Sequence, residues 1–199
     1  MIITIARQCG CGAINVGRGL ARHYGIPLYT RSDLRAMTLT GESDEDSDNM
    51  EDFFEERPAD ELVYAISSLE TFSSPLPESK PVATLQKVIG NKDCIIIGRC
   101  GNYIFRHRHD LVSVFLKGSL QARIEAAARE MHIGTDEAAE YVGNLDDSRI
   151  RYHHFYTGLT WGNANDYDLC IDSLRLGTEK TVSLIAEYAD SITANTQRQ

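Results

Sequence analysis

No stretch of this 199-residue chain approaches the roughly 18–20 uncharged apolar residues that a bilayer-crossing helix requires. The opening Met1–Ala6 runs into Arg7 without a basic leader ahead of it, so the expectation is a cytoplasmic protein with no membrane partner. Cysteines are few, odd in number and scattered (Cys9, Cys11, Cys94, Cys100, Cys170). That excludes the disulfide framework of a small secreted domain and points to reduced thiols. An excess of basic residues is missing as well: 20 basic residues stand against 29 acidic ones. Eleven of those acids lie between Gly41 and Glu61 with the single base Arg57, leaving 18 acids against 19 bases elsewhere. A near-neutral body offers no footprint for duplex nucleic acid, although it leaves room for a smaller anion. The acidic stretch itself reads as a solvated loop, with a partner-binding role as the alternative.

What is present is a core-forming composition, 42% hydrophobic and 25% charged, in a length that suits one domain. Ile2-Ile3-Thr4-Ile5-Ala6 reads as a buried strand ending at Gly10, Gly12 and Gly17, followed by a helix over about Ala13–Tyr24 that Gly25 and Pro27 terminate. Leu28-Tyr29 gives a second short strand, and Ser32 is expected to cap a helix running to Leu39. Beyond the acidic stretch the pattern predicts a helix over Glu61–Phe72, a proline-bearing loop from Ser73 to Pro81 and a helix over Val82–Ile89. Cys94–Ile97 and Val112–Leu116 are further buried-type strands. The second leads into a helix with Leu120, Ile124, Ala127, Ala128 and Met131 on its apolar face. Tyr141, Leu145, Ser148, Tyr152 and Phe155 mark one stripe of a long helix starting near Thr135. Leu169–Ile171 is the last strand, and a final helix from Thr178 buries Val182, Ile185, Ala186 and Ala189 before a polar tail from Asn195. Strands alternating with helices predict an α/β fold with a parallel sheet covered on both faces, where ligands bind beyond the carboxyl ends of the strands.

The residues at those ends carry the chemistry. Arg7-Gln8-Cys9-Gly10-Cys11-Gly12-Ala13-Ile14-Asn15 is a glycine-bearing turn entering a helix, an arrangement that aims backbone N–H groups at an anion. It has Ala13 where the common phosphate loop carries Lys, and Asn15 near the place of the metal-binding hydroxyl. Without a ligand the same residues make an ordinary tight turn. Gly98-Arg99-Cys100 follows the third strand, and Arg99 is the best single candidate for bidentate binding of phosphate, against the alternative of a structural ion pair. His107 and His109 read as solvated. On the long helix Arg149 and His153 share a face, whereas Arg149 and Arg151 differ by about 200° and cannot both meet one ligand. Trp161 sits in a loop where it could stack on a base or pack beneath the loop.

Three segments together resemble the cytidylate kinase-like family of P-loop proteins: Ile2–Gly17, the centre Ile95–Ile104 with its Gly98-Arg99-Cys100, and Tyr156-Thr157-Gly158 through Trp161-Gly162 to Tyr167–Ser173. The resemblance implies a three-layer P-loop kinase-like fold with strand order 2-3-1-4-5. It implies one domain over 1–199, with a helical substrate-binding insert and acidic loop over about 32–91 and a lid over about 133–165. It also implies transfer of a phosphoryl group from ATP, with Mg2+, to a nucleoside monophosphate, CMP or dCMP first. On that reading Arg7 to Asn15 hold the donor phosphates and Arg99, with Arg31 and Arg35 at the insert, binds the acceptor. Arg99, Arg149 and Arg151 then neutralise the transferring group. Asp172, Asp146 and Asp147 are candidates for the metal. The family's loop pattern has Arg and Glu where this chain has Ile14 and Asn15, and its central segment has Asp where Asn102 stands, so the alternative is an inactive homologue that binds a nucleotide or phosphate and acts through a partner. A third reading gathers Cys9, Cys11 and Cys100 into a thiol site across neighbouring strands. Nucleotides are the expected partners, and self-association is left open.

Overall fold

The computed structural model describes residues 1–38 and 80–196. The expectations for the acidic stretch 41–61, the helix 61–72 and the loop 73–79 lie outside the described residues. The elements in chain order are β1 (Ile2–Arg7), α1 (Ala13–Tyr24), β2 (Leu28–Tyr29), α2 (Arg31–Thr38), α3 (Lys80–Ile89), β3 (Cys94–Ile97) and α4 (Gly101–Ile104). They continue with β4 (Leu111–Lys117), α5 (Leu120–Met131), α6 (Thr135–Thr157), a 3-10 turn (Ala164–Asp166), β5 (Leu169–Asp172), α7 (Ser173–Leu176) and α8 (Thr178–Thr196).

The five strands form one parallel sheet in the order β2-β3-β1-β4-β5, with β1 at the centre pairing β3 from Ile2↔Cys94 to Ile5↔Ile97 and β4 from Ile2↔Leu111 to Arg7↔Leu116. Side chains of a strand alternate between faces, which is why every strand residue of this apolar stretch finds a core. Ile3, Ile5, Ile95, Ile97, Val112 and Val114 pack with Val16 and Leu20 of α1 and Ile185, Ala186 and Ala189 of α8. Ile2, Cys94 and Ile96 face the other way, against Leu34, Leu85, Ile89, Ile104 and Tyr156. The layers are therefore helix, sheet and helix, as the alternation of strands and helices dictates.

Several boundaries differ from the sequence expectation for local reasons. Helix α2 starts at Arg31, so Ser32 lies inside it. The turn is secured instead by Asp33, whose Oδ2 accepts from the Thr30 N–H at 2.8 Å and the Thr30 hydroxyl at 2.7 Å. Helix α3 begins at Lys80 and carries Pro81 in its first turn, where the missing N–H costs no hydrogen bond. Strand β5 is an edge strand, so Ile171 is buried while Cys170 is exposed. On α5 the buried positions are Arg123 and Ala127, and Leu120 and Met131 are exposed. On α6 the buried line runs through Ala138, Val142, Asp146, His153 and Tyr156, one position beyond the predicted stripe, and Tyr141 is exposed. That one-residue shift is what carries Asp146, Arg149 and His153 towards the sheet.

Candidate functional site

The turns after β1 and β3 lie side by side because their strands are neighbours. The first is pinned on all sides. Gln8 N–H donates to the Leu116 carbonyl (2.9 Å), Gly118 N–H donates to Gln8 Oε1 (3.1 Å), and the Ser173 hydroxyl donates to the Cys11 carbonyl (2.9 Å). Cys9 N–H donates to Asp146 Oδ1 at 2.7 Å. Asp146 Oδ2 in turn takes Arg123 Nη1 at 2.5 Å, and Arg149 Nη1 lies 3.5 Å from Oδ1 and 3.4 Å from the Arg7 carbonyl. One carboxylate of α6 thus ties α5, α6 and the glycine turn together.

Two glycines of this turn have positive φ for different reasons. At Gly10 (φ +81°) an added Cβ would stand 2.5 Å from the Arg123 carbonyl oxygen, whereas at Gly12 (φ +65°), the residue before α1, it would meet nothing within 4 Å. Gly10→Ala is therefore expected to lose about 3 kcal/mol of stability, from left-handed strain plus overpacking, and Gly12→Ala only about 1 kcal/mol from strain alone. Denaturant midpoints of the two variants check this; equal losses would contradict the packing argument.

The second turn is unusual in another way. Gly98, Arg99 and Cys100 all have positive φ (81°, 53° and 53°), and the Gly101 N–H closes the turn on the Gly98 carbonyl at 3.2 Å. Two consecutive non-glycine residues in the left-handed region store strain of order 1–3 kcal/mol each, the kind that surrounding structure holds where a side chain must be aimed. The side chain aimed here is Arg99, 9% exposed, whose guanidinium carbon lies 4.6 Å from the centre of the Tyr152 ring. The Arg7 guanidinium covers Gly98 so closely that a Cβ there would collide with it.

Among the described residues, two adjoining spaces lie around these turns. An inner cavity of about 40 Å³ is lined by Thr4, Arg7, Arg99, Arg149, His153 and Trp161 among others, with three guanidinium groups and no acidic residue in its wall. An outer groove of about 330 Å³ is lined by every residue from Arg7 to Asn15 and, opposite them, by Met131, Tyr141 and Arg149 among others. Arg7 and Arg149 line both. Three arginines bordering a space whose wall holds no carboxylate suit it to an anion, since guanidinium N–H groups match phosphate oxygens in pairs.

The structure distributes the sequence candidates accordingly. Arg7, Gln8, Cys9, Gly10, Cys11, Gly12, Ala13, Ile14 and Asn15 all border the groove, and Arg99 borders the inner cavity. Arg151 borders neither, as its 200° offset from Arg149 anticipates. Arg31 and Arg35 are exposed on α2 and border neither space among the described residues. Asp146 is committed to Arg123, Arg149 and the Cys9 amide, and Asp172 Oδ1 caps α7 by accepting the Arg175 N–H at 3.1 Å. The proposed thiol site does not assemble: Cys9, Cys11 and Cys100 belong to three different apolar clusters. Burial pushes the Cys11 thiol up to about 11 and that of Cys100 to about 12, so both are protonated and unreactive. Trp161 packs edge-on to Phe115 with centroids 5.2 Å apart, and it also borders the inner cavity. Thr4, Tyr152 and Arg123 were missed: each looks like an ordinary strand or helix residue until the turns are in place.

His153 is 3% exposed, and burial, with the nearby His154 as a lesser cause, lowers its pKa to about 4. The folded protein therefore binds fewer protons here than the unfolded chain, whose histidine titrates near 6.5. Stability is fully present above about pH 6.5, falls as pH drops through the window from there to about 4, and loses about 3 kcal/mol in all. Urea unfolding of the native chain and of His153→Phe at pH 7.5 and 4.5 checks this: the difference between the two should shrink at the lower pH.

Comparison with known proteins places this geometry. A model of the cytidylate kinase-like family matches residues 2–175. The chain belongs to that family. The match spans the glycine turn, the Gly98-Arg99-Cys100 turn and all five strands, so the residues bordering both spaces lie within it. The chain is 24% identical to a cytidylate kinase of Methanopyrus kandleri, with 96% of this chain and 94% of the relative covered, and 22% identical to one of Pyrococcus abyssi, with 96% and 95% covered. Among solved structures it is similar to an uncharacterized protein from Eubacterium ventriosum (TM-score 0.72, 22% identity, 96% and 98% covered). A gluconokinase from Sinorhizobium meliloti shares the fold at a TM-score of 0.53 with 13% identity, 97% and 95% covered. The P-loop kinase-like architecture of the cytidylate kinase-like family is thus the architecture of this chain. No helix among the described residues is long and apolar enough to cross a membrane.

Proposed function

We propose that the protein moves a phosphoryl group from ATP to a nucleoside monophosphate, CMP or dCMP being the first acceptors to try. The observation that carries this reading is the pair Arg7 and Arg149, which border both the groove beside the glycine turn and the inner cavity that holds Arg99. A group passing from one space to the other stays under the same two cations. In the transfer an acceptor phosphate oxygen forms a bond to the terminal phosphorus of ATP, and the bond from that phosphorus to the bridging oxygen breaks. The products are ADP and a nucleoside diphosphate. Little covalent work falls to the protein in such a reaction, and positioning with charge neutralisation supplies the rate. The groove, with its glycine turn at one end and Met131 and Tyr141 at the other, has the size and mixed character of a nucleotide site.

Mg2+ accompanies this chemistry in kinases, and the side chains here do not form a cage for it. No group of three His, Cys, Asp or Glu residues is placed to hold a metal among the described residues, and Asp146 already serves two arginines and an amide. No step is therefore assigned to a protein-held ion.

One observation favours the second reading, an inactive homologue that binds a nucleotide or phosphate. The Cys9 amide of the glycine turn is occupied by Asp146, and Ala13 offers no cation beside it. ADP release from ATP at high protein concentration, with Mg2+ and with CMP, dCMP, UMP, dAMP and AMP in turn, separates the two. Release that depends on one monophosphate supports the kinase. Ligand-dependent thermal stabilisation without release supports the inactive homologue.

A further inference from the structure

We propose that His153 is an additional ligand of the phosphate in the inner cavity, donating through its Nε2–H, and that Cys100 is the positioning residue that holds the imidazole in that tautomer. The proposal deepens the acceptor reading above and rests on it.

The inner cavity contains polar atoms that the folded chain leaves idle. Thr4 Oγ1, Arg149 Nε and His153 Nε2 are all buried without a hydrogen-bond partner, on three residues that line this one cavity. Thr4 is 2% exposed and His153 3%. Buried polar atoms without partners cost roughly 1–3 kcal/mol each, so three around one space call for a ligand or ordered water to meet them. The arginine nitrogen is an obligatory donor and the threonine hydroxyl can act as one. The imidazole can be donor or acceptor at Nε2, and its neighbour decides which.

That neighbour is Cys100, whose Sγ lies 3.6 Å from His153 Nδ1 in a buried contact. Burial keeps this thiol protonated and the imidazole neutral. A neutral thiol in that position can donate its S–H to Nδ1, and the single ring proton then sits on Nε2. The opposite tautomer would make Nε2 an acceptor, which a phosphate oxygen cannot satisfy. With the proton on Nε2, the cavity wall presents donors from His153, Thr4, Arg149, Arg99 and Arg7 and no carboxylate. Its volume of about 40 Å³ matches roughly three water-sized atoms. Water-sized room walled by donors suits the terminal oxygens of a phosphate group. The left-handed turn at Arg99 and Cys100 then has a second purpose: it aims the guanidinium at the phosphate and sets the thiol on the histidine.

The chemistry recognised is a phosphate group, which could come from a nucleoside monophosphate or from free phosphate. The test has two arms. In the first, long-range 1H–15N spectra of the ligand-free protein at pH 7.5 report the His153 tautomer. The native chain should show the Nε2–H form, Cys100→Ala a mixture, and Cys100→Ser, which restores a donor, the Nε2–H form again. A Nδ1–H form in the native chain overturns the proposal. In the second arm, calorimetry compares CMP, cytidine and inorganic phosphate. His153→Phe should weaken CMP about tenfold, in proportion to one hydrogen bond. Phosphate should weaken in parallel if the free ion is also a ligand, and His153→Gln, which keeps an N–H donor, should recover most of the loss.

Equal binding of CMP by the native chain and His153→Phe overturns the proposal while the kinase reading stands. Binding that depends on His153 with no ADP released under any condition supports the proposal while the kinase reading fails. If the native chain binds neither CMP nor phosphate, both fall.

Discussion

Asp146→Ala is expected to destabilise the protein by about 3 kcal/mol. The carboxylate sits on α6 but is consumed elsewhere: by Arg123 of α5, by Arg149 one turn on, and by the Cys9 amide of the glycine turn. Removing it strands a buried guanidinium, since the Arg123 side chain is only 8% exposed and its other hydrogen bond, from Nε to the Gly118 carbonyl, brings no charge. It also strands the Cys9 N–H. Asp146→Asn separates these effects, because the amide oxygen can still accept from Cys9 while the charge is lost; about half the penalty is expected. Denaturant unfolding measures both. A loss under about 1 kcal/mol for Asp146→Ala would mean that the ion pair contributes no more than an exposed one. A second consequence concerns the turn itself. Gly10 passes so close to the Arg123 backbone that the turn and α5 move together, so hydrogen exchange at Gly10 and Cys11 should rise in Asp146→Ala far more than in the β1 strand.

How legible this arrangement is from sequence depends on whether the cause is local. The strands were legible because each is a short apolar run, and α1 because Gly25 and Pro27 end it just where its apolar spacing stops. The placement of Arg99 and Arg149 beside the inner cavity followed from position, one at a strand end and one on a helix face shared with His153. The α6 stripe was misplaced by one residue because Tyr141 and Leu145 are as apolar as Ala138 and Val142. Only the packing of α6 on α5 and on the glycine turn decides between the two lines. The role of Asp146 was misjudged for a related reason. An aspartate near an arginine on a helix looks available for a metal, and the fact that its oxygens are taken by Arg123 and by an amide 137 residues away is a property of the tertiary structure. The strain at Arg99 and Cys100 leaves no mark in the residues themselves, since neither is a residue type that favours positive φ.

Arg149→Met should lower the turnover number roughly 10³-fold while changing the Michaelis constants for ATP and for CMP by less than about tenfold. The asymmetry follows from where the side chain stands. Arg149 borders both spaces, so in the proposed transfer its guanidinium would meet the phosphoryl group when that group is between them and charge is greatest on its equatorial oxygens. An interaction made mainly at that moment appears in turnover and not in ground-state binding. Arg99 borders the inner cavity alone, so Arg99→Met should raise the Michaelis constant for CMP and leave that for ATP within a factor of two. Lysine in place of Arg149 keeps the charge but loses the paired N–H geometry, and should restore no more than a tenth of the lost rate. Steady-state ADP release across ATP and CMP concentrations reads all of these, with unfolding midpoints confirming that each variant is folded, since Arg149 also touches Asp146. A turnover number for Arg149→Met within threefold of the native chain would remove this residue from the path of the phosphoryl group. A Michaelis constant for ATP that rises with that for CMP in Arg99→Met would mean that the two spaces do not divide donor from acceptor.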